Sequence, residues 1–252
     1  MTGLLLRLAG PMQSWGEHSA FGERDTLAFP SRSGLVGMFA AAQGVGREEG
    51  LERYDGLRLL VRVDARGVRM TDFHTVGGGL PRERTVPTAE GKRRPEGATT
   101  IVTRRAYLAD AVFTVAVSGP GSEDIGRSLL SPHWQTYLGR RSFVPDPLLV
   151  LRVQAPDPEH ELRTAVPLPR RRVPQGQRTV EVELVSEQVS TGAADTGGRT
   201  VLNDVPRSFA SAHRRYTSRE VLVERTALSA DLVSDSIRQY QERLLAYVKE
   251  HR

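Results

Sequence analysis

Three features of the 252-residue chain predict an α+β fold: short apolar strand patterns along its length, one well-capped helix near the start, and a long Gly-, Pro- and Arg-rich insertion with no core pattern. Leu4-Leu5-Leu6-Arg7-Leu8 reads as the first strand, closed by Gly10-Pro11. Pro30 to Gly34 introduces a helix that carries Leu35, Met38, Phe39 and Ala42 on one face, with Ser31 or Ser33 as N-cap and Gly44 as the stop. Leu57 to Val63 alternates as a strand, with Gly67 to Phe73 as its expected hairpin partner. Ala111 to Val117 is an apolar strand ended by Gly119-Pro120-Gly121, and Glu123 to Leu130 is a short helix. The succession strand, helix, strand, strand, helix-like segment, strand suits a ferredoxin-like or RRM-type sandwich.

The insertion runs from Val76 to Thr100, long enough in a compact domain to be either functional or a loose surface loop. After Pro145 the composition changes. Leu148 to Val153 and Val180 to Val185 read as strands joined by a proline- and arginine-rich connector, which predicts a smaller β-rich lobe over 146–226 beside a first lobe over 1–145. From Ala227 the residues Leu228, Leu232, Ile237, Tyr240, Leu244 and Val248 recur at helical spacing, so 227–252 is expected to be an amphipathic helix started by Ser229 or Asp231.

Composition narrows the function. Cysteine is absent, which excludes disulfides and thiolate metal sites and fits a reducing cytoplasm. No apolar run approaches the roughly 18 residues of a membrane helix, and Met1 to Gly10 lacks the basic start and cleavage site of a signal peptide, so no membrane association is expected. The net charge is +5, and of 35 basic residues only Lys92 and Lys249 are lysine. A guanidinium forks onto phosphate and stacks on bases better than an ammonium does. Between Arg66 and Tyr107 nine basic residues face four acids, and a second stretch, Arg163, Arg170, Arg171, Arg172 and Arg178, is free of acids. Positive charge gathered in this way is the footprint of an anionic partner.

The candidate contacts follow from local chemistry. The helix after Pro30 offers unpaired N–H groups, and Arg32 in its first turn opposes the helix dipole unless an anion arrives. Trp15, in the loop Gln13-Ser14-Trp15-Gly16, either stacks a base or packs into the sheet edge. Tyr137-Leu138-Gly139-Arg140-Arg141-Ser142 combines an aromatic, a glycine that lets backbone come close, and two guanidiniums that point apart if extended. No P-loop, nucleophile elbow, paired acidic motif or metal-spaced histidine pair occurs, so neither metal nor cofactor is expected. A metal-free ribonuclease needs a general base, and His74 or His133 would have to serve.

Taken together these segments resemble one family. Leu6 to Gly16, Arg24-Asp25-Thr26, Phe29 to Gly37 and Tyr137 to Ser142, in that order, are similar to the CasD proteins, the Cas-five members of type I-E CRISPR Cascade complexes. The resemblance implies an RRM-like lobe with a β-hairpin thumb over about Val76 to Arg105, and a smaller β-rich lobe. It also implies a non-catalytic subunit that caps the 5′ handle of the CRISPR RNA, with the thumb along the backbone subunit CasC, the large subunit CasA beside it, and target DNA met indirectly. Related I-C proteins cleave precursor RNA, and a metal-independent endoribonuclease of that kind is the alternative. On the resemblance Gln13, Trp15, Arg24, Ser31, Arg32, Ser33, Tyr137, Gly139, Arg140 and Arg141 line the handle site, and Arg82, Arg84, Arg104 and Arg105 belong to the thumb. The connector from Arg163 to Arg178 has no counterpart in this pattern, and the terminal helix runs past its expected end.

Overall fold

The computed structural model describes residues 2–17, 19–20, 22–79, 81–85, 88, 91–95, 99–187, 198–211 and 213–251. In chain order the strands and helices are β1 (Gly3–Ala9), β2 (Met12–Gln13), β3 (Ser19–Ala20), β4 (Glu23–Arg24), α1 (Arg32–Gln43), β5 (Arg58–Ala65), β6 (Val68–Val76), β7 (Ile101–Ala109) and β8 (Val112–Ser118). There follow α2 (Ser122–Leu130), β9 (Val150–Ala155), α3 (Pro158–Thr164), β10 (Thr179–Ser186), β11 (Gly198–Ser208), β12 (Arg215–Ser229) and α4 (Ile237–Glu250).

The fold is α+β, built on two sheets. The larger has the strand order β11-β12-β10-β5-β8-β1-β9, with every neighbouring pair antiparallel. Within it β1-α1-β5-β8-α2-β9 has the spatial order β5-β8-β1-β9, which is the ferredoxin-like arrangement. Both faces of this sheet are covered, so β1 is apolar almost throughout instead of alternating. Leu4, Leu6 and Leu8 join the core under α1 and α2. Leu5 joins the second core with Leu162 of α3 and Tyr240, Leu244 and Tyr247 of α4.

Several expectations change. Gly67 to Phe73 does not pair with β5; as β6 it pairs with β7 over nine residues, Val68↔Ala109 to Val76↔Ile101, in the second sheet. The third strand of the ferredoxin-like unit is therefore β8, and the fourth is β9. The thumb is a real hairpin, but its strands lie outside the Gly/Pro/Arg-rich stretch, which forms the connection between them. The strands after residue 146 do not form a sheet of their own; β10 pairs with β5 and carries β12 and β11 outward in the same sheet. The long strands β11 and β12 escaped the sequence reading altogether. The last helix starts at Ile237, not Ala227, because 227–229 completes β12 against Thr179–Glu181. Ser229 caps only a short 3-10 turn, whereas Ser236 accepts from the Gln239 N–H and caps α4.

Polar groups on the α3/α4 face have buried partners. Arg62, fully enclosed, gives Nε to Asp64 at 2.6 Å and its terminal nitrogens to the carbonyls of Leu162, Val166 and Pro167. It thereby satisfies the orphan carbonyls where α3 ends. Arg7 of β1 donates Nε to the Tyr240 hydroxyl at 3.2 Å and lies over its ring. Among the described residues no helix is long and apolar enough to cross a membrane.

Burial, and then the charge of Asp64, push the Tyr240 phenol up to about 12, while Arg7 and Arg62 oppose the rise. Between pH 10 and 12 the unfolded chain loses this proton and the folded chain keeps it, so stability falls as pH rises, by about 1.4 kcal/mol per unit from this group. Tyr240→Phe should cost about 1–2 kcal/mol near neutrality, by leaving Arg7 Nε unpaired. In urea unfolding the gap between wild type and variant should narrow from pH 9 to pH 11.

Candidate nucleic-acid interface

Helix α1 starts as the sequence predicts: Ser31 is the N-cap, its hydroxyl accepting from the Gly34 N–H at 3.2 Å, and Gly44 ends the helix at φ 72°. Its N-terminus, however, already holds an anion. The Asp204 carboxylate, from β11, accepts from the backbone N–H of Arg32 at 2.7 Å. The Arg32 side chain, 5% exposed, turns inward to the Glu187 carboxylate at 2.7 and 2.8 Å and to the carbonyls of Leu57 and Tyr54. Arg219 of β12 closes the ring, with Nε and Nη2 on Asp204 at 2.6 and 2.8 Å and Nη1 on Glu187 at 2.6 Å. Burial alone would lower the Arg219 pKa; hydrogen bonds to Asp204 and the charges of Glu187 and Asp204 outweigh it, and the pKa is raised.

Ser31 and Arg32 are therefore internal braces, buried on the chain's own groups. Ser33 is half-buried, its hydroxyl 3.3 Å from that of Ser31. Sequence reasoning missed Glu187, Asp204 and Arg219. A signal existed for Asp204: it alternates with Leu202 and Pro206 at inward positions of β11, and a carboxylate there needs a buried partner.

Trp15 packs rather than stacks. It is 1% exposed, lies against Gly34 so closely that a Cβ there would meet the ring at 2.8 Å, and gives its indole N–H to Gln13 at 3.1 Å. Gln13 is buried too, and donates its amide to the carbonyls of Leu8 and Ala111. Gly139, at φ 87°, is required by the same packing, because a Cβ there would fall 1.7 Å from the Ser14 carbonyl oxygen. Half-buried Tyr137 precedes this turn, and the turn closes with the Phe143 N–H on the Arg140 carbonyl.

What that turn delivers is Arg140. Its Nη2 donates to the Ala106 carbonyl of β7 at 2.8 Å, and its guanidinium lies 5.5 Å from the centre of the Phe143 ring. On β7 the next residue but one is Arg104 and the neighbour of Ala106 is Arg105; Arg105 faces Arg24 of β4 on one side and Asp72 of β6 on the other. Cross-strand partners share a face, so Arg24, Arg105 and Asp72 point the same way. Burial, then Arg105, lowers the Arg140 pKa; Asp72 works against this and Arg24 adds to it. Three guanidiniums thus converge at the thumb's root around one carboxylate, and that carboxylate also meets His74 Nδ1 at 3.3 Å.

The remaining candidates are dispersed. Arg104 points to the other face and lies 4.0 Å from Glu23. Arg141 is exposed beside the turn, and Arg84 is exposed in the short helical turn Arg82–Arg84 of the thumb connection. The side chain of Arg82 lies outside the described residues. His133 lies on Gly44 at the end of α1, edge-on to Trp134.

If Arg32 is a brace, Arg32→Ala takes away one of the two arginine partners of Glu187 and the donors to the Leu57 and Tyr54 carbonyls, and should cost about 1–3 kcal/mol in urea unfolding. A variant of unchanged stability that loses only RNA affinity would contradict this placement.

Comparison with known proteins gives the family. Residues 3–222 match the family described as CRISPR-associated protein (Cas_Cas5), a match that ends before α4. The chain is 34% identical over 227 residues to the "CRISPR system Cascade subunit CasD" of Escherichia coli K12, covering 82% of this chain and 92% of that one. Among solved structures, a chain of a "CRISPR RNA-guided surveillance complex" is 61% identical, with a TM-score of 0.89 over 98% of this chain and 99% of that one. A second, titled "Crystal structure of Cas protein", is 30% identical with a TM-score of 0.56, over 91% and 96%. The chain belongs to the Cas5 family of CRISPR-associated proteins.

Proposed function

We propose that this chain is a non-catalytic subunit of a cytoplasmic Cascade-type surveillance complex and holds the 5′ handle of the CRISPR RNA. The observation that carries the reading is the cluster of Arg24, Arg105 and Arg140 at the root of the thumb, with Asp72 beside it. Like charges held together are costly, and a phosphate repays that cost by charge-assisted hydrogen bonds. Arg24 is exposed and has no side-chain partner among the described residues, while Arg105 donates Nε only to the Thr103 hydroxyl at 3.0 Å. Tyr107 and Phe143, with ring centres 5.9 Å apart, flank the cluster. The names of the relatives support the setting, and in it the thumb would lie along CasC, with CasA beside the handle and target DNA reached through them.

A second reading has one observation in its favour, the His74–Asp72 pair on the cluster's own face. In a metal-independent endoribonuclease His74 would take the 2′-hydroxyl proton. Both readings are addressed by titrating the full chain against labelled handle RNA over a range of salt, with EDTA present. Arg24→Glu should weaken binding at least tenfold and lower the slope of log affinity against log salt by about 0.7 for each phosphate no longer neutralised. The RNA should be recovered uncut. Unchanged affinity and slope would remove the cluster from the site, and cleavage abolished by His74→Ala would favour the enzyme.

A further inference from the structure

The connector between α3 and β10 is used neither by the thumb nor by the ferredoxin-like core, yet it holds the second acid-free run of arginines. It leaves α3 on the face opposite α1 and α2, where Val166 and Leu168 belong to the second core. Arg171 is then fixed against the sheet, Nη1 on the Glu181 carbonyl at 3.2 Å and Nη2 on the Asp64 carbonyl at 3.3 Å. Neither bond is to a carboxylate; burial lowers the Arg171 pKa, the nearby Asp64 charge works against this and Arg62 adds to it.

Arg171 is common to three adjoining grooves of about 210, 470 and 730 Å³. In the first, Arg66 is tied to Glu183, and the second contains Asp231 and Asp235. The third and largest is different. It sets Arg171, Arg172 and Arg178 against the single acid Glu181, and adds Gln177 and Thr179 as neutral donors. Arg172 and Arg178 are exposed and make no side-chain hydrogen bond or ion pair among the described residues. From Thr179 to Glu181, β10 lines this groove for about 7 Å, roughly the axial rise of two nucleotides in a duplex strand.

We propose that the groove of Arg171, Arg172, Arg178, Gln177 and Thr179 is a second phosphodiester-binding site, which takes a nucleic-acid backbone other than the one held at the thumb. Its volume of about 730 Å³ and its separate guanidiniums suit two successive phosphates better than one small anion. Arg140 and Tyr107 pack with Phe143 against the first core, whereas this groove borders the second, so the two patches serve different stretches of chain. The proposal does not depend on the handle reading, because it rests on other residues.

The test uses the full chain saturated with unlabelled handle RNA, to which labelled duplex DNA or labelled single-stranded RNA of unrelated sequence is added. Arg172→Glu/Arg178→Glu should bind at least one of these tenfold more weakly than wild type, with an unchanged melting temperature. Loss in the DNA arm alone identifies DNA as the ligand, loss in the RNA arm alone identifies RNA, and loss in both shows a site that accepts either backbone. Arg47→Glu/Arg53→Glu, an equal change of charge at exposed positions elsewhere, should alter binding less than threefold. Equal binding by wild type and Arg172→Glu/Arg178→Glu in both arms, or equal losses in the two double variants, overturns the proposal. Failure of the handle reading would be seen separately, as handle affinity unaffected by Arg24→Glu.

Discussion

Arg32, Glu187, Arg219 and Asp204 alternate in charge, with the Arg32 backbone N–H closing the ring on Asp204, and the arrangement of the molecule depends on it. Arg32 and Asp204 are buried, Glu187 and Arg219 half-buried. The ring joins the first turn of α1 to the end of β10 and to β11 and β12, segments more than 150 residues away in sequence. It docks the outer strands on the ferredoxin-like unit and fills the helix N-terminus with the chain's own carboxylate. Each charge has an opposite partner and further hydrogen bonds, the condition under which buried ions can be tolerated. With that end of α1 occupied, the proposed phosphate contacts are those at the root of the thumb.

The thumb works by a different principle. Its root strands are held by a nine-residue ladder and meet the 137–143 turn through Arg140 and Phe143, while Gly139 lets that turn close on the Ser14 carbonyl. This gives a rigid base for Arg105 and Arg140, whose guanidiniums bond neutral acceptors, and for Arg24, which is exposed. The molecule therefore separates its arginines into two kinds. Arg7, Arg32, Arg62 and Arg219 are enclosed or half-enclosed and bound to internal acceptors, whereas Arg24, Arg172 and Arg178 are exposed and unpartnered among the described residues. Sequence composition treats both kinds alike.

That limit explains what could be read in advance. Local patterns were legible: β1, α1 with both of its caps, β5, β8 and α2 lie close to their expected places because periodicity and capping are short-range signals. Pairing was not. β6 looked like the partner of β5 because the two are adjacent in sequence, and nothing local revealed that its nine-residue partner lay beyond a long insertion. β11 and β12 were missed because Asp204 and Arg219 interrupt their apolar alternation, and those interruptions are the ion pairs that matter most. In the candidate site, Gln13, Trp15, Ser31 and Arg32 drew attention through chemistry that serves packing. Arg24 entered through the family resemblance and Arg140 through its glycine turn, and only the fold brings them to Arg105.

The central claim is that nucleic acid meets the root of the thumb and not the N-terminus of α1. It is tested most directly by ultraviolet cross-linking of the chain to handle RNA, followed by mass spectrometry of the joined peptides. The account expects cross-links in peptides that contain Arg24, Arg105 to Tyr107 or Tyr137 to Phe143. Cross-links concentrated between Phe29 and Gly34, with none at the thumb's root, would contradict it.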